Sequence, residues 1–301
     1  MTLERFFAWL VVVFWGISFL ATKVVVQVLD PFFAGFLRFI FAFFFLFLIS
    51  GGRPKFFNRN IVMAGFWGVF SYFAFENSAL MFTEPTNAAI IVSSAPVFFL
   101  LFSHLVQKKK TTSKMYLGVI LSFLGVALVV LNGRFVLKLN PLGDLLAFGA
   151  ALSWVFYTHH IESLGSLSFR ENAGIMFWGV VFFLPFSAGK FQQIREMNSI
   201  VVISLLYLGL VCSGLAYFLW NKAIERLGSR TTTNMIYYIP VVTAVAEHLL
   251  KLKLPSALLV GGVVLVVIGL LIFEREVHYE TEDSTRGMRK DRTEETRSSA
   301  D

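Results

Sequence analysis

The sequence predicts an all-α integral membrane protein: ten transmembrane helices arranged as two inverted five-helix repeats. Three observations carry this. First, the 301 residues are 56% hydrophobic, above the roughly 45–50% of a soluble domain, and mean hydropathy is +0.71. Second, the excess comes in runs of about 18–24 residues, long enough as helix to cross ~30 Å of hydrocarbon. Third, sliding the chain by 144 positions without a gap puts Gly65 on Gly209, Asn77 on Asn221, Pro96 on Pro240 and His104 on His248. Gly118 and Gly125 then fall on Gly262 and Gly269. Matches of Asn, Pro, His and Gly in one register mark an internal duplication.

The apolar runs are placed at 6–28, 32–50, 61–82, 86–106, 115–132, 142–162, 171–188, 199–221, 230–250 and 256–273. Open strands cannot satisfy their backbone in lipid, and the runs lack period-two alternation, so each reads as helix. The first is too long for a cleavable signal peptide, follows Glu4-Arg5 and lacks a small-residue cleavage site. Asp30-Pro31, Gly51-Gly52-Arg53-Pro54, Glu84-Pro85 and Asn140-Pro141 break the chain between runs. The first repeat is placed at 1–139, the second at 140–273, and a charged, disordered cytoplasmic tail at 274–301. Each repeat holds five spans, an odd number, so the second enters the membrane from the opposite face. Lys108 to Lys114, with Arg53, Lys55 and Arg59, enrich one side in positive charge and put both termini in the cytoplasm. The net charge of +7 is thus a topology signal and not a mark of nucleic-acid binding.

Trp15-Gly16, Leu37-Arg38-Phe39, Asn77-Ser78-Ala79-Leu80, Pro96, Gly118 and Gly125 form an ordered set. Asn221-Lys222-Ala223-Ile224, Pro240, Gly262 and Gly269 repeat part of it. Over residues 6 to 273 the chain resembles the EamA-type transporters of the drug/metabolite transporter superfamily. The resemblance implies export of small metabolites by alternating access through a central cavity in the cell inner (plasma) membrane. It departs from the family at Gln107-Lys108 and Lys251-Leu252, where relatives often carry Gly-Glu.

Charge inside a bilayer is costly and points to function. Arg38 and Glu76 fall at similar depth, ~10 Å from the outer surface, on consecutive antiparallel spans. They are expected to form a buried pair near the outer mouth. A packing ion pair and a role in substrate or proton handling are both open. Asn77 and Asn221 are repeat mates at opposite depths, suited to helix–helix hydrogen bonds first and to substrate contact or gating second. Pro96 and Pro240 interrupt the hydrogen-bond ladder in mid-span and serve as a static bend or as a pivot lining the cavity. Ser93, Ser94, Tyr237 and Tyr238 sit beside them. With Trp15, Tyr72, Trp154, Tyr157, Tyr217 and Trp220 they complete an aromatic-walled candidate cavity, each aromatic also explicable as lipid-facing material. Adjacent His159-His160 point about 100° apart on a helix, poor geometry for a shared metal. The reading assigns no metal, cofactor or nucleic acid; its partners are a small-molecule substrate and the lipid bilayer, with proton coupling as an option.

No nucleophile–base set or phosphate-binding glycine loop supports an enzyme or an ATP-driven pump. A channel or a structural membrane protein is the alternative of another class. A nucleotide-sugar or sugar-phosphate carrier is the alternative within the superfamily, and it would need convergent cations that the spans lack.

Overall fold

Helix starts along this chain are written in capping residues, and the computed structural model uses them. It describes residues 2–83, 85–131, 140–250, 257–258 and 260–277, and no strand occurs among them. Thr2 caps α1 (Leu3–Val26). Asp30 caps α2 (Pro31–Ile49), accepting from the backbone N–H groups of Phe32 and Phe33 at 2.9 and 3.2 Å. Asn58 opens a continuous rod over 59–82: α3 (Arg59–Ala64), a π-helical stretch (Gly65–Ser71) and α4 (Tyr72–Phe82). The next helix is broken into α5 (Pro85–Val92) and α6 (Ala95–Leu105), and α7 follows (Ser113–Leu131).

The second half begins with α8 (Pro141–Leu164), capped by Asn140, and α9 (Phe169–Ser187), opened by a Ser168/Glu171 capping box. A rod over 199–227 comprises α10 (Ser199–Leu206), a second π-helical stretch (Tyr207–Leu215) and α11 (Ala216–Leu227). Another broken helix follows: α12 (Ser229–Asn234), a 3₁₀ turn (Met235–Tyr237) and α13 (Tyr238–Leu250). The last helix, α14, spans 260–277. Helix therefore continues through Glu274–Val277, where the sequence reading began its disordered tail. The rest of that tail, and the repeat boundary near 139, lie outside the described residues.

The two halves match in their irregularities. The π stretch at Gly65–Ser71 falls, at the same offset of 144, within the one at Tyr207–Leu215, and both broken helices break just before the repeat-mate prolines. They also exchange contacts. A Cβ on Gly65 would lie 2.7 Å from the Ile175 carbonyl of α9, and one on its mate Gly209 2.8 Å from the Arg38 carbonyl of α2. Gly118 packs on the Gly269 backbone and Gly125 on that of Gly262, so α7 and α14 meet through a reciprocal set of glycines. Only a residue without a side chain lets backbones approach so closely. α2 and α9 pack on each other with the Phe39 and Phe183 rings stacked at 6.2 Å.

Three helical stretches, Leu3–Val26, Pro31–Ile49 and Ser199–Leu227, are individually long and apolar enough to cross a membrane, with shorter apolar stretches at Ile90–Leu105 and Ser113–Val129. Large apolar side chains such as Phe44, Leu48, Ile203 and Leu271 cover the outside, as a lipid-facing surface requires. The main core runs through the middle of the bundle, and a smaller one around Met115, Val126, Val266 and Phe273 joins α7 and α14 to it.

Candidate functional site

A cavity lies where the halves meet. Trp15, Ser18 and Phe19 of α1, Arg38 of α2, and Tyr72, Phe73 and Glu76 of α4 wall one side. Trp154 of α8 and Tyr217 of α11 wall the other. Val92, Ser93 and Ala95 reach it from the α5–α6 break, and Ile236 and Ile239 from the break before α13. The space open to the centres of water-sized spheres is about 40 Å³. One water needs roughly 10–15 Å³ on that measure, so the space has room for a few waters.

Aromatic rings set its shape. Trp15 and Trp154 meet edge to face at 5.2 Å, Trp15 lies 5.7 Å from Tyr217, and Tyr72 lies 5.3 Å from Trp154. Two hydrogen bonds fix these rings, and they follow the repeat. Trp15 Nε1 donates to the Cys212 carbonyl at 2.9 Å, and Tyr217 OH donates to the Gly68 carbonyl at 2.7 Å. Cys212 and Gly68 are repeat mates, each inside a π-helical stretch. Such stretches occur frequently at functional sites. Each bond also crosses from one half to the other.

Arg38 and Glu76 both line the cavity, 3% and 6% exposed, but they do not form the direct pair expected from their depths. Arg38 Nε donates to Ser213 Oγ at 2.7 Å, and its guanidinium carbon sits 4.2 Å from the centre of the Phe73 ring. Glu76 Oε1 accepts from Tyr72 OH at 3.2 Å. Ser213 stands in the π stretch that packs on α2, so a neighbour from the other half, absent from the depth argument, takes the arginine.

Of the remaining sequence candidates, Trp15, Tyr72, Ser93, Trp154 and Tyr217 reach the cavity and nine others do not. Asn77 Nδ2 donates to the Pro31 carbonyl at 2.9 Å. Asn221 accepts from Tyr157 OH at 2.6 Å and donates to Asn172 Oδ1 at 2.7 Å. All three groups act between helices, the first of the two roles weighed for the asparagines. Tyr237 is buried in the smaller core and Tyr238 packs 4.3 Å from the Trp9 ring. Ser94 Oγ turns back to the Ile91 carbonyl. Pro96 does not kink a continuous helix: the helix stops at Val92 and restarts at Ala95, putting Pro96 in a first turn where its missing N–H costs nothing. Pro240 likewise follows a 3₁₀ turn, near the start of α13.

Ser18, Phe19, Phe73, Val92, Ala95, Ile236 and Ile239 line the cavity without having been singled out as site residues. Helical spacing held the signal for some of them: Ser18 and Phe19 follow Trp15 by three and four positions. Ser213 carried none, being 175 residues from the arginine it holds. His159 and His160 turn to different partners, Gln107 and Asn60, and no cluster of metal-ligating side chains occurs among the described residues.

The profile of the EamA-like transporter family matches residues 3–131 and again 141–274. An uncharacterized transporter of Archaeoglobus fulgidus is 28% identical over 278 residues, which cover 85% of this chain and 92% of that protein. A probable amino-acid metabolite efflux pump of Salmonella typhimurium is 27% identical over 285 residues, covering 89% and 94%. A probable terminal-alkyne amino-acid exporter of Streptantibioticus cattleyicolor is 25% identical, covering 76% and 77%. A solved crystal structure, 20% identical, superposes with a TM-score of 0.70 over 90% of this chain and 96% of its own.

Proposed function

The chain belongs to the EamA-like transporter family, and from that premise we propose that it is a secondary exporter of small metabolites, such as amino acids, working by alternating access. It is a multi-pass membrane transporter and not an enzyme. The finer reading has ten spans in two inverted repeats, 1–139 and 140–273, in the plasma membrane with both termini cytoplasmic. The swapped glycine contacts and the matched π stretches support a two-fold relation between the halves.

One observation carries the mechanism: a cavity walled by both halves, with a broken helix from each half opening onto it. Discontinuous helices at a repeat interface are where transporters of this architecture place their substrate. Rocking one half against the other would expose the site to each side in turn, and the hydrogen bonds from Trp15 and Tyr217 would register the halves in this conformation. Relatives named as amino-acid exporters support the substrate class. If the cycle uses a proton, Glu76 is the acid at the cavity to carry it. A sugar-phosphate carrier is disfavoured, because Arg38 is the one cation among the described residues that line the cavity and a carboxyl group shares the space.

Counterflow into proteoliposomes, over a panel of amino acids, amines and nucleotide sugars, tests the reading. Saturable flux of an amino acid is expected. Its absence across the panel, with folded protein in the vesicles, would refute export of metabolites of this kind.

A further inference from the structure

We propose that the cavity recognises a zwitterion at two separate points: Arg38 takes the carboxylate and Glu76 the ammonium group of an α-amino acid with an apolar side chain. This rests on the transport reading and deepens it.

The carrying observation is a guanidinium and a carboxyl group that share one buried cavity with no ion pair between them. Both side chains are buried and both line the cavity, yet they form no salt bridge. Arg38 commits one nitrogen, Nε, to Ser213, and its two terminal nitrogens make no hydrogen bond among the described residues. Glu76 commits Oε1 to Tyr72, and Oε2 has no hydrogen-bond partner among the described residues. An unpaired charge removed from water is costly, so groups left open here are those that a ligand's own charges satisfy.

The geometry of each group selects its partner. Ser213 pins the arginine at Nε and the Phe73 ring lies against its guanidinium, which fixes the plane of the fork. The two remaining nitrogens present the parallel donors that match a carboxylate. Glu76 offers an oxygen to an ammonium donor. The other walls, among them Trp15, Phe19, Trp154 and Ile236, are aromatic or aliphatic and suit an apolar side chain. A simple cation would leave Arg38 uncompensated, and a simple anion would leave Glu76 so. A dianion such as a phosphate ester would meet one cation and one repelling carboxylate.

The test uses the full chain in proteoliposomes and three compounds of one skeleton: L-phenylalanine, 2-phenylethylamine and 3-phenylpropanoate. The first carries both charges and each of the others carries one. L-leucine, 3-methylbutylamine and 4-methylpentanoate repeat the comparison with a smaller side chain. The amino acid of at least one set is expected to show saturable flux, with its amine and its acid at least tenfold weaker as competitors. Arg38→Gln should abolish the preference over the amine, and Glu76→Gln the preference over the acid. An amine or acid that competes within threefold of its amino acid in the wild type overturns the proposal and leaves transport standing. Lack of flux for both amino acids overturns it too, and the wider counterflow panel then decides whether transport falls with it. The wild-type ranking stands alone should either variant fail to fold.

Discussion

Tyr217→Phe isolates one of the hydrogen bonds that cross between the halves. The substitution keeps the ring and removes only the hydroxyl that donates to the Gly68 carbonyl at 2.7 Å. Tyr217 is 1% exposed and Gly68 is buried, so no bulk water reaches the freed acceptor. Hydrogen bonds between transmembrane helices average about 0.6 kcal/mol and reach about 1.7. A short bond to a carbonyl with no solvent substitute belongs in the upper part of that range, so the expected loss is about 1–1.7 kcal/mol. Tyr116→Phe is the control, since its hydroxyl makes no hydrogen bond among the described residues and its ring is retained. Reversible unfolding of both variants in mixed detergent micelles gives the comparison. Tyr217→Phe and Tyr116→Phe agreeing within about 0.3 kcal/mol would refute the claim that the π-stretch carbonyl depends on this donor.

Two further substitutions probe other joints. Gly125→Val places a side chain where even a Cβ would lie 2.6 Å from the Val266 nitrogen and 2.7 Å from the Gly262 carbonyl. Neither backbone atom can swing aside, so we expect a loss of about 3 kcal/mol, the upper part of the overpacking range, read as a lowered melting temperature; an unchanged melting temperature would contradict the α7–α14 packing. Glu162 accepts from Gln107, Lys109 and Ser229 and so ties α8 to the loop after α6 and to the start of α12. Discounted for partial exposure, the loss of its charge in Glu162→Gln costs about 1 kcal/mol of this helix packing. Thiol modification of an Ile236→Cys reporter, in a background with Cys212 replaced by Ser, should then speed up about fivefold; an unchanged rate would show that the Glu162 bonds do not restrict access to the cavity.

Helix positions were legible because span length, chain breaks and repeat register are local signals. Asp30-Pro31 and Asn140-Pro141, read as breaks between runs, each stand at the start of a helix. The site was legible only in part. Trp15, Arg38, Tyr72, Glu76, Trp154 and Tyr217 stood out as polar or aromatic groups within the spans, and all six reach the cavity. Depth gives no azimuth, however. Tyr157 and Asn221 lie at plausible depths but turn toward each other, whereas Ile236 and Ile239 look ordinary and face the cavity. The arginine's partner was hidden for another reason: Ser213 is brought to it by the exchange of contacts between the halves, which no pairing of neighbouring spans contains.

The asparagine mates end up unequal, and the inequality bears on how stiff each half is. Asn221 stands in a relay of two bonds from Tyr157 to Asn172, whereas Asn77 makes one bond and its side-chain oxygen has no partner among the described residues. Each of these bonds stays within its own half, joining α11 to α8 and α9 in the second and α4 to α2 in the first. A difference of a single bond, about 1 kcal/mol, makes the second half the firmer of the two at this joint. A duplicated architecture can therefore be near-symmetric in shape and still divide rigidity unequally between its copies, an asymmetry set by side chains and not by the backbone plan.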